Sequence, residues 1–388
     1  MMLRLLGALL AAAPAYDAST HPDAWRADVP RSNLARTDAL RPFPTGTDTL
    51  VDTVFVVSNR RRVARGFMRE VTDSLWYGLY VTRLVVRTSQ APRPLASMHV
   101  TRVDSAALEA TEWRRRLAGA VRDTSARAAP LVYVHGYSSS PGTAVAQGVQ
   151  VRTRGGHAGP LVVFLWPTHE LYVVPTPVHV YRNDARAAAR SGPALARVLR
   201  TVDSLAPGAV LVAHSMGSRV ALDAVITDSA AHAQFTSRPL RAMGIFSPDV
   251  GASAFRETFA PQLPRVARRV ALYGASRDYL LGASAIFNRE RRAAGLARRG
   301  DPLPGIELVD DSRGARAEPL PLALAGPAHA VRWASAALAD FFAIVVSDAD
   351  PSCRVTVGTA DSGGDGRWRL RRGVLPPVPV DSACALKR

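Results

Sequence analysis

Two patterns of hydrophobic and polar positions divide the chain. Between residues 48 and 128, runs such as 53–57 and 79–86 are rich in β-branched and aromatic residues, which is typical of strands. From 129 to 345 the apolar runs are shorter and nearly continuous, and helical, alanine-rich stretches such as 183–205 separate several of them. Such runs predict parallel strands that are buried on both faces and joined by helices. We therefore predict an α/β fold: a mostly parallel sheet with helices on both faces, extra N-terminal strands and a C-terminal tail. The short apolar runs are 131–134, 161–166, 210–213, 243–246, 270–273 and 306–309.

The two ends of the chain lack this periodicity. Arg4, a short apolar stretch and the sequence Ala13-Pro14-Ala15 predict a signal peptide over 1–15, cleaved after Ala15, with export to the periplasm or beyond. An uncleaved N-terminal membrane anchor is the alternative. Residues 16–47 are polar and proline-punctuated, which predicts a linker or loose arm. Glycine- and proline-rich turns over 346–388 predict an irregular C-terminal tail.

Both cysteines, Cys353 and Cys384, fall in the predicted tail. In an oxidising compartment we expect them to form a disulfide that stabilises the fold by about 3 kcal/mol in the loop-entropy model. Two buried free thiols are the alternative.

The basic residues are almost all arginine. The formal net charge is +17, and Lys387 is the only lysine among the 49 basic residues. No phosphate-binding P-loop, Schiff-base lysine or Ser-x-x-Lys site can therefore be built within the predicted domain. The arginines form short clusters spread along the chain, and no DNA- or RNA-binding motif accompanies them. We expect no specific nucleic-acid binding and interpret the excess as coding bias, with an anionic envelope surface as the alternative partner.

The strongest chemical signal is the run 210–220, which reads Val-Leu-Val-Ala-His-Ser-Met-Gly-Ser-Arg-Val. A buried strand leads directly into His214-Ser215-Met216-Gly217 and then into a helix. This is the context of a nucleophile elbow, in which a tight strand–turn–helix exposes a serine hydroxyl at the helix N-terminus. We predict Ser215 as a nucleophile, and a helix-capping serine is the alternative.

A serine nucleophile requires a histidine base and an acid that orients it. In this class of enzyme the order along the chain is serine, acid, histidine. His329 fits that order, whereas His232 follows the nucleophile helix too soon. Asp278 and Asp249 each follow a predicted strand, and we take Asp278 as the acid with Asp249 as the alternative.

The reaction also requires two backbone N–H groups that bind the developing oxyanion. One is predicted at Met216, directly after the nucleophile. The strand 131–134 ends in His135-Gly136-Tyr137, and the N–H of Tyr137 is the candidate second donor. His135 itself is interpreted as a buried histidine that holds this loop.

The order of these motifs resembles that of a bacterial alpha/beta-hydrolase family of undetermined function, with coverage from about residue 50 to residue 343. The resemblance implies Ser215, Asp278 and His329 as the catalytic triad, and a structural or supporting role for Asp184. Thr168 stands where the family has serine, and Pro327-Ala328-His329 replaces its Gly-His. The motifs are Ser-Asn-Arg (58–60), His-Gly-Tyr (135–137), Trp-Pro-Thr (166–168), Tyr-x-x-Asp (181–184), His-Ser-Met-Gly (214–217), Ser-Pro-Asp (247–249) and Ser-Arg-Asp (276–278), where the family has Ser-x-x-Asp.

These features together predict an esterase- or lipase-like serine hydrolase that cleaves a small-molecule ester or acyl substrate through an acyl-enzyme. No cofactor is expected. No metal is expected either, because His169-Glu170 is not followed by a histidine at metalloprotease spacing. A non-catalytic envelope binding protein on a hydrolase scaffold is the alternative function.

Overall fold

The computed structural model describes residues 47–63, 66–88, 96–123, 128–169, 177–275, 278–299, 301–313, 336–356 and 358–371. The predicted signal peptide and all but the last residue of the predicted linker lie outside these ranges, so both stay predictions. Within the described ranges, no helix has both the length and the apolar character required to cross a bilayer.

A single mixed sheet of 11 strands organises the described chain, in the spatial order β3-β2-β1-β5-β4-β6-β7-β8-β9-β11-β10. The strands are β1 (Thr47–Val63), β2 (Gly66–Thr88), β3 (Ala96–Leu108), β4 (Leu131–Val134), β5 (Leu161–Leu165), β6 (Val210–His214), β7 (Ala242–Phe246), β8 (Val270–Gly274), β9 (Ile306–Asp310), β10 (Ala360–Gly364) and β11 (Arg367–Leu370).

The central strands pair in parallel and the N-terminal strands do not. All neighbours from β1 through β5, β4, β6, β7 and β8 to β9 are parallel. By contrast, β1, β2 and β3 form an antiparallel meander. The prediction of a mostly parallel sheet with extra N-terminal strands is confirmed.

Helices connect the parallel strands. In chain order they are α1 (Ala110–Arg122), α2 (Pro141–Arg154), α3 (Pro177–Leu205), α4 (Gly217–Leu222), α5 (Ser229–Ser237), α6 (Ala252–Ala254), α7 (Leu263–Val266), α8 (Tyr279–Asn288), α9 (Leu296–Arg299), α10 (Ala336–Asp340) and α11 (Cys353–Thr356). Short π-helical segments extend three of these helices, at Asp223–Thr227, Phe255–Phe259 and Phe341–Val346.

Each face of the sheet carries its own hydrophobic core, because alternate residues of a strand point in opposite directions. Val132 and Val134 of β4 join the core that is covered by α1, α3 and α4. Leu131 and Tyr133 join the opposite core, to which α2, α10 and its π-helical extension contribute. The apolar runs of the sequence are nearly continuous because both faces of these strands are buried.

Residues 360–364 and 367–370 form strands, and the prediction of an irregular tail is wrong for this part, which the structure describes. β11 pairs in parallel with β9 and extends the main sheet, and β10 pairs antiparallel with β11. Cys353 begins α11, is buried and is disulfide-bonded. Cys384 lies outside the described residues, so the Cys353–Cys384 pairing stays a prediction.

Candidate active site

Ser215 occupies a sharp turn between β6 and α4. Its φ is +52°, in the left-handed region that non-glycine residues rarely adopt. The turn is held on both sides: the Ser215 N–H donates to the Phe246 carbonyl at 2.9 Å, and the Ser215 carbonyl accepts from the Asp249 N–H at 3.2 Å. A backbone strained in this way and fixed by its neighbours is a feature of functional sites, and it is the geometry expected of a nucleophile elbow.

Gly217 lets the helix after Ser215 pass close to the neighbouring loop. A Cβ atom at this position would lie 2.2 Å from the His135 carbonyl oxygen and 2.8 Å from the Val134 carbonyl oxygen. Both atoms belong to the backbone, so no side-chain rotation could relieve the contact. The glycine therefore sets the distance between α4 and the end of β4.

The loop 135–140 after β4, which we call the oxyanion loop, lies directly against the serine. A Cβ atom on Gly136 would lie 2.9 Å from the Cβ of Ser215. Within the described chain, the backbone N–H groups of Tyr137 and Met216 donate to no other group. Two unused donors on the segments that flank a serine hydroxyl are what an oxyanion hole requires.

The sheet topology places these parts in the crevice where such folds bind ligands. β4 lies between β5 and β6 in the sheet. After β4 the chain therefore passes first to β5 on one side of it and then crosses to β6 on the other side. In open α/β sheets, ligands bind outside the carboxyl ends of the strands at such a switch point. The oxyanion loop leaves β4 here and Ser215 follows β6.

Asp278 and Asp249 lie at the same edge of the sheet, after β8 and β7. Asp278 is buried and is the N-cap of α8, where its carboxylate accepts the Leu281 N–H at 3.0 Å. It makes at least one further contact beyond this cap. The structure thus places Asp278 two strands from Ser215, at the N-terminus of α8.

Asp249 is engaged in a buried polar cluster. Its two carboxylate oxygens accept from the hydroxyls of Tyr181 at 2.9 Å and Ser284 at 2.5 Å. Arg219 and Arg292 lie 3.4 and 3.3 Å from the same carboxylate. Both oxygens are therefore occupied by groups that join α3, α4 and α8. This arrangement fits a structural role and disfavours Asp249 as the partner of a catalytic histidine.

The predicted base, His329, lies outside the described residues, so its role stays a prediction. His232, set aside on chain order, lies on α5, and its ring nitrogen is 3.3 Å from the Val225 carbonyl. His135 is fully buried and stacks on Trp166 with ring centroids 5.3 Å apart. Burial, with a smaller contribution from Arg60, lowers the pKa of His135 to about 3. The ring is therefore neutral at pH 7 and holds the loop, as its place in the sequence suggested.

Arg60, at the end of β1, has a role that the sequence analysis missed. This buried arginine donates to the Trp166 carbonyl at 3.1 Å, to the Ser139 carbonyl at 3.1 Å and to the Thr168 hydroxyl at 2.8 Å. It therefore ties the oxyanion loop to the loop after β5. The sequence signal for this role is the Ser-Asn-Arg ending (58–60) of β1, but neither a motif match nor a cluster of arginines indicates that a side chain is buried.

The Trp-Pro-Thr motif supports the oxyanion loop from the same side. The Trp166 indole N–H donates to the His135 carbonyl at 2.8 Å, and the Thr168 hydroxyl donates to the Ser139 carbonyl at 2.5 Å. Threonine thus supplies a hydroxyl where the resembling family has serine.

Asp184 completes this support from α3. Its buried carboxylate accepts from the backbone N–H of His169 at 3.0 Å and lies 2.6 Å from Nδ1 of the same histidine. Burial raises the pKa of Asp184, and hydrogen bonds from His169 and from the backbone N–H of Ser138 oppose that rise. The supporting role implied by the resemblance agrees with these contacts.

The described part of the chain contains no group of three or more His, Cys, Asp or Glu side chains placed to hold a metal ion. No match was found among curated proteins or among solved structures. One family model does match, over residues 110–302, and it is described as "Alpha/beta hydrolase of unknown function (DUF900)". The matched segment runs from the start of α1 to just before β9 and includes the oxyanion loop, Ser215, Asp249 and Asp278. Residues 110–302 of this chain are therefore similar to the alpha/beta hydrolases of this family of unknown function.

Proposed function

We propose that the protein is a serine hydrolase of the carboxylesterase type, acting on a small-molecule ester or acyl substrate. The observation that carries the proposal is the left-handed turn at Ser215, held against an oxyanion loop whose Tyr137 N–H is unused within the described chain. A left-handed serine between a buried strand and a helix is strained, and the surrounding backbone hydrogen bonds maintain it. The hydrolase family of the matched segment supports the same chemistry.

The proposed reaction proceeds in two half-reactions. His329 accepts the Ser215 hydroxyl proton as the oxygen attacks the substrate carbonyl, and the N–H groups of Tyr137 and Met216 stabilise the oxyanion. Collapse of the tetrahedral intermediate expels the alcohol, which takes the proton from His329 and leaves an acyl-serine. Water, deprotonated by His329, then releases the acid and regenerates Ser215. Asp278 holds the imidazole in the required tautomer.

Labelling with a fluorophosphonate probe tests the nucleophile directly. We expect the wild-type protein to be labelled covalently and the Ser215→Ala variant not to be. Ser218→Ala is the matched control, because Ser218 is also buried and lies one turn further along α4. The proposal would be contradicted if folded wild-type protein were not labelled, or if the Ser215→Ala variant hydrolysed a panel of nitrophenyl esters as fast as wild type. Either result would favour a binding protein on a hydrolase scaffold.

A pair of aspartate substitutions separates the two candidate acids. Asn is as good an N-cap as Asp, so Asp278→Asn keeps the cap on Leu281 while removing the negative charge. We expect kcat for ester hydrolysis to fall by several orders of magnitude in this variant, with little change in the unfolding midpoint. Asp249→Asn should instead lower stability, because it leaves Arg219 and Arg292 without their buried counter-charge. The reverse pattern would assign the acid to Asp249.

A further inference from the structure

An open cleft of about 870 Å³ lies between β2 and the N-terminal half of α3. Residues 67–71 of β2 form one wall, and residues 183–190 of α3 form the other. Pro167 and His169, from the loop after β5, also line it. Neither Ser215 nor Asp278 is part of this lining, so the reaction proposed above leaves the cleft without a role.

Three arginines of the cleft have no anionic partner within the described chain: Arg69, Arg186 and Arg190. All three are exposed. Arg186 and Arg190 are four residues apart on α3, where like charges on one helix face destabilise the helix. Arg69, which lies on β2, lines the same cleft as this pair, so three guanidinium groups without an ion pair line one cleft.

The acids of the cleft do not neutralise these arginines. Glu70 forms an ion pair with Arg61 at 2.7 Å. Asp184 is buried, and its carboxylate is bound to the backbone and ring of His169. The cleft therefore presents unbalanced positive charge and planar, multiple donors, which bind carboxylate and phosphate groups well.

Apolar side chains also line the cleft. Phe67 packs edge-on against Trp76 with ring centroids 5.0 Å apart, and this contact fixes its position. Met68 is 43% exposed. Pro167 also lines the cleft. Apolar side chains and unpaired arginines in one cleft match a ligand that has an anionic head and an apolar body.

We propose that this cleft binds an anionic amphiphile. The guanidinium groups of Arg69, Arg186 and Arg190 contact a carboxylate or phosphate head, and an alkyl or acyl chain lies along Phe67 and Met68. The proposal does not depend on Ser215 acting as a nucleophile. Through His169 and Asp184 the cleft adjoins the oxyanion loop, so the bound molecule lies beside the candidate active site.

Calorimetric titration of the full chain with octyl phosphate tests the proposal. We expect the Arg186→Gln/Arg190→Gln variant to bind octyl phosphate at least tenfold more weakly than wild type. Arg114→Gln/Arg200→Gln is the matched control, because it removes the same charge from exposed arginines that line a separate cleft. This control should bind as wild type does. Repeating the titrations in the Ser215→Ala background excludes any contribution from turnover.

Three comparison ligands test the two halves of the site separately. Octyltrimethylammonium and octyl glucoside should bind at least tenfold more weakly than octyl phosphate, and inorganic phosphate should also bind more weakly because it lacks the chain. Met68→Ser should weaken the binding of octyl phosphate and leave that of inorganic phosphate unchanged. The proposal would be overturned if the Arg186→Gln/Arg190→Gln variant bound octyl phosphate with a Kd within twofold of wild type. It would also be overturned if octyltrimethylammonium or octyl glucoside bound to wild type as tightly as octyl phosphate does. Equal affinity for inorganic phosphate would overturn the assignment to an amphiphile.

Discussion

Three residues with no reactive group decide the geometry around Ser215. Gly217 allows α4 to approach the backbone of the oxyanion loop, and Gly136 allows that loop to approach the serine. Arg60 ties the far end of the same loop to the loop after β5, with one hydrogen bond to Ser139 and two to Trp166 and Thr168. The position of the hydroxyl therefore depends on close backbone packing and on one buried guanidinium group.

Replacement of Gly217 by alanine tests how closely α4 packs against the backbone at the end of β4. The added methyl would overlap two backbone carbonyl oxygens, so we expect Gly217→Ala to lower the free energy of unfolding by about 1–3 kcal/mol, as overpacking does. Urea denaturation measures the change. Gly119→Ala in α1 is the control, because no heavy atom lies within 4 Å of the added Cβ and alanine is the better helix former. It should raise the free energy by up to about 1 kcal/mol, and equal effects of the two substitutions would contradict the packing argument.

At the scale of elements, a buried ionic cluster joins the C-terminal segment to the rest of the fold. Arg354 of α11 donates to both carboxylate oxygens of Asp340, at 2.8 and 3.1 Å, and forms an ion pair with Glu307 of β9. The Tyr273 hydroxyl donates to Asp340 at 2.7 Å, and the Arg354 guanidinium lies 5.1 Å from the ring centroid of Trp368. The cluster thus connects α10, α11, β8, β9 and β11.

Loss of one member should destabilise this cluster strongly. Arg354→Met leaves Asp340 buried without its counter-charge, and we expect the free energy of unfolding to fall by about 3–5 kcal/mol. Arg61→Met is the matched control, because Arg61 and Glu70 are both more than half exposed and solvent screens their interaction, so its loss should change the free energy of unfolding little. Chemical denaturation followed by circular dichroism distinguishes the two. An Arg354→Met variant as stable as the control would show that the C-terminal segment is only loosely attached.

The elements that the sequence predicted well are those with short-range signals. Strand β6 and helix α4 follow directly from one run of eleven residues, because a buried strand, a tight turn and an amphipathic helix each have a local pattern. β11 was missed because two arginines interrupt its four residues, and only pairing with β9 makes it a strand. Arg60 was missed for a related reason: its partners lie 79 to 108 residues away in the sequence.

For the whole molecule, two buried groups should give opposite contributions to the pH dependence of stability. Burial lowers the pKa of His135 to about 3 and raises that of Asp223 to about 6. The unfolded chain binds a proton at His135 below about pH 6.5 and the folded chain does not, so this group favours folding increasingly as the pH rises from 5 to 6.5. Folded Asp223 retains a proton up to about pH 6 and its unfolded form releases it near 4, so this group favours folding at low pH and the advantage is lost as the pH rises through 6.

Replacing either residue by one that does not titrate should reveal the sign of its contribution to the pH dependence of stability. From pH 5 to pH 7 we expect wild type to gain about 2 kcal/mol of unfolding free energy relative to His135→Gln, and to lose about 1 kcal/mol relative to Asp223→Asn. Denaturation at both pH values provides the measurement, and each variant is the control for the other because the remaining groups cancel in the comparison. The same sign of change in both variants would refute the argument from burial.

The contacts of Arg60 also have a consequence for how the molecule folds. The strand that carries this arginine is the first that the structure describes, but its partners follow β4 and β5 and lie 79 to 108 residues later in the sequence. Contacts of such sequence separation form late, because the entropy of closing the intervening chain must be lost first. During refolding, secondary structure should therefore recover before the oxyanion loop reaches its final geometry, and the candidate active site should be among the last parts of the protein to be assembled.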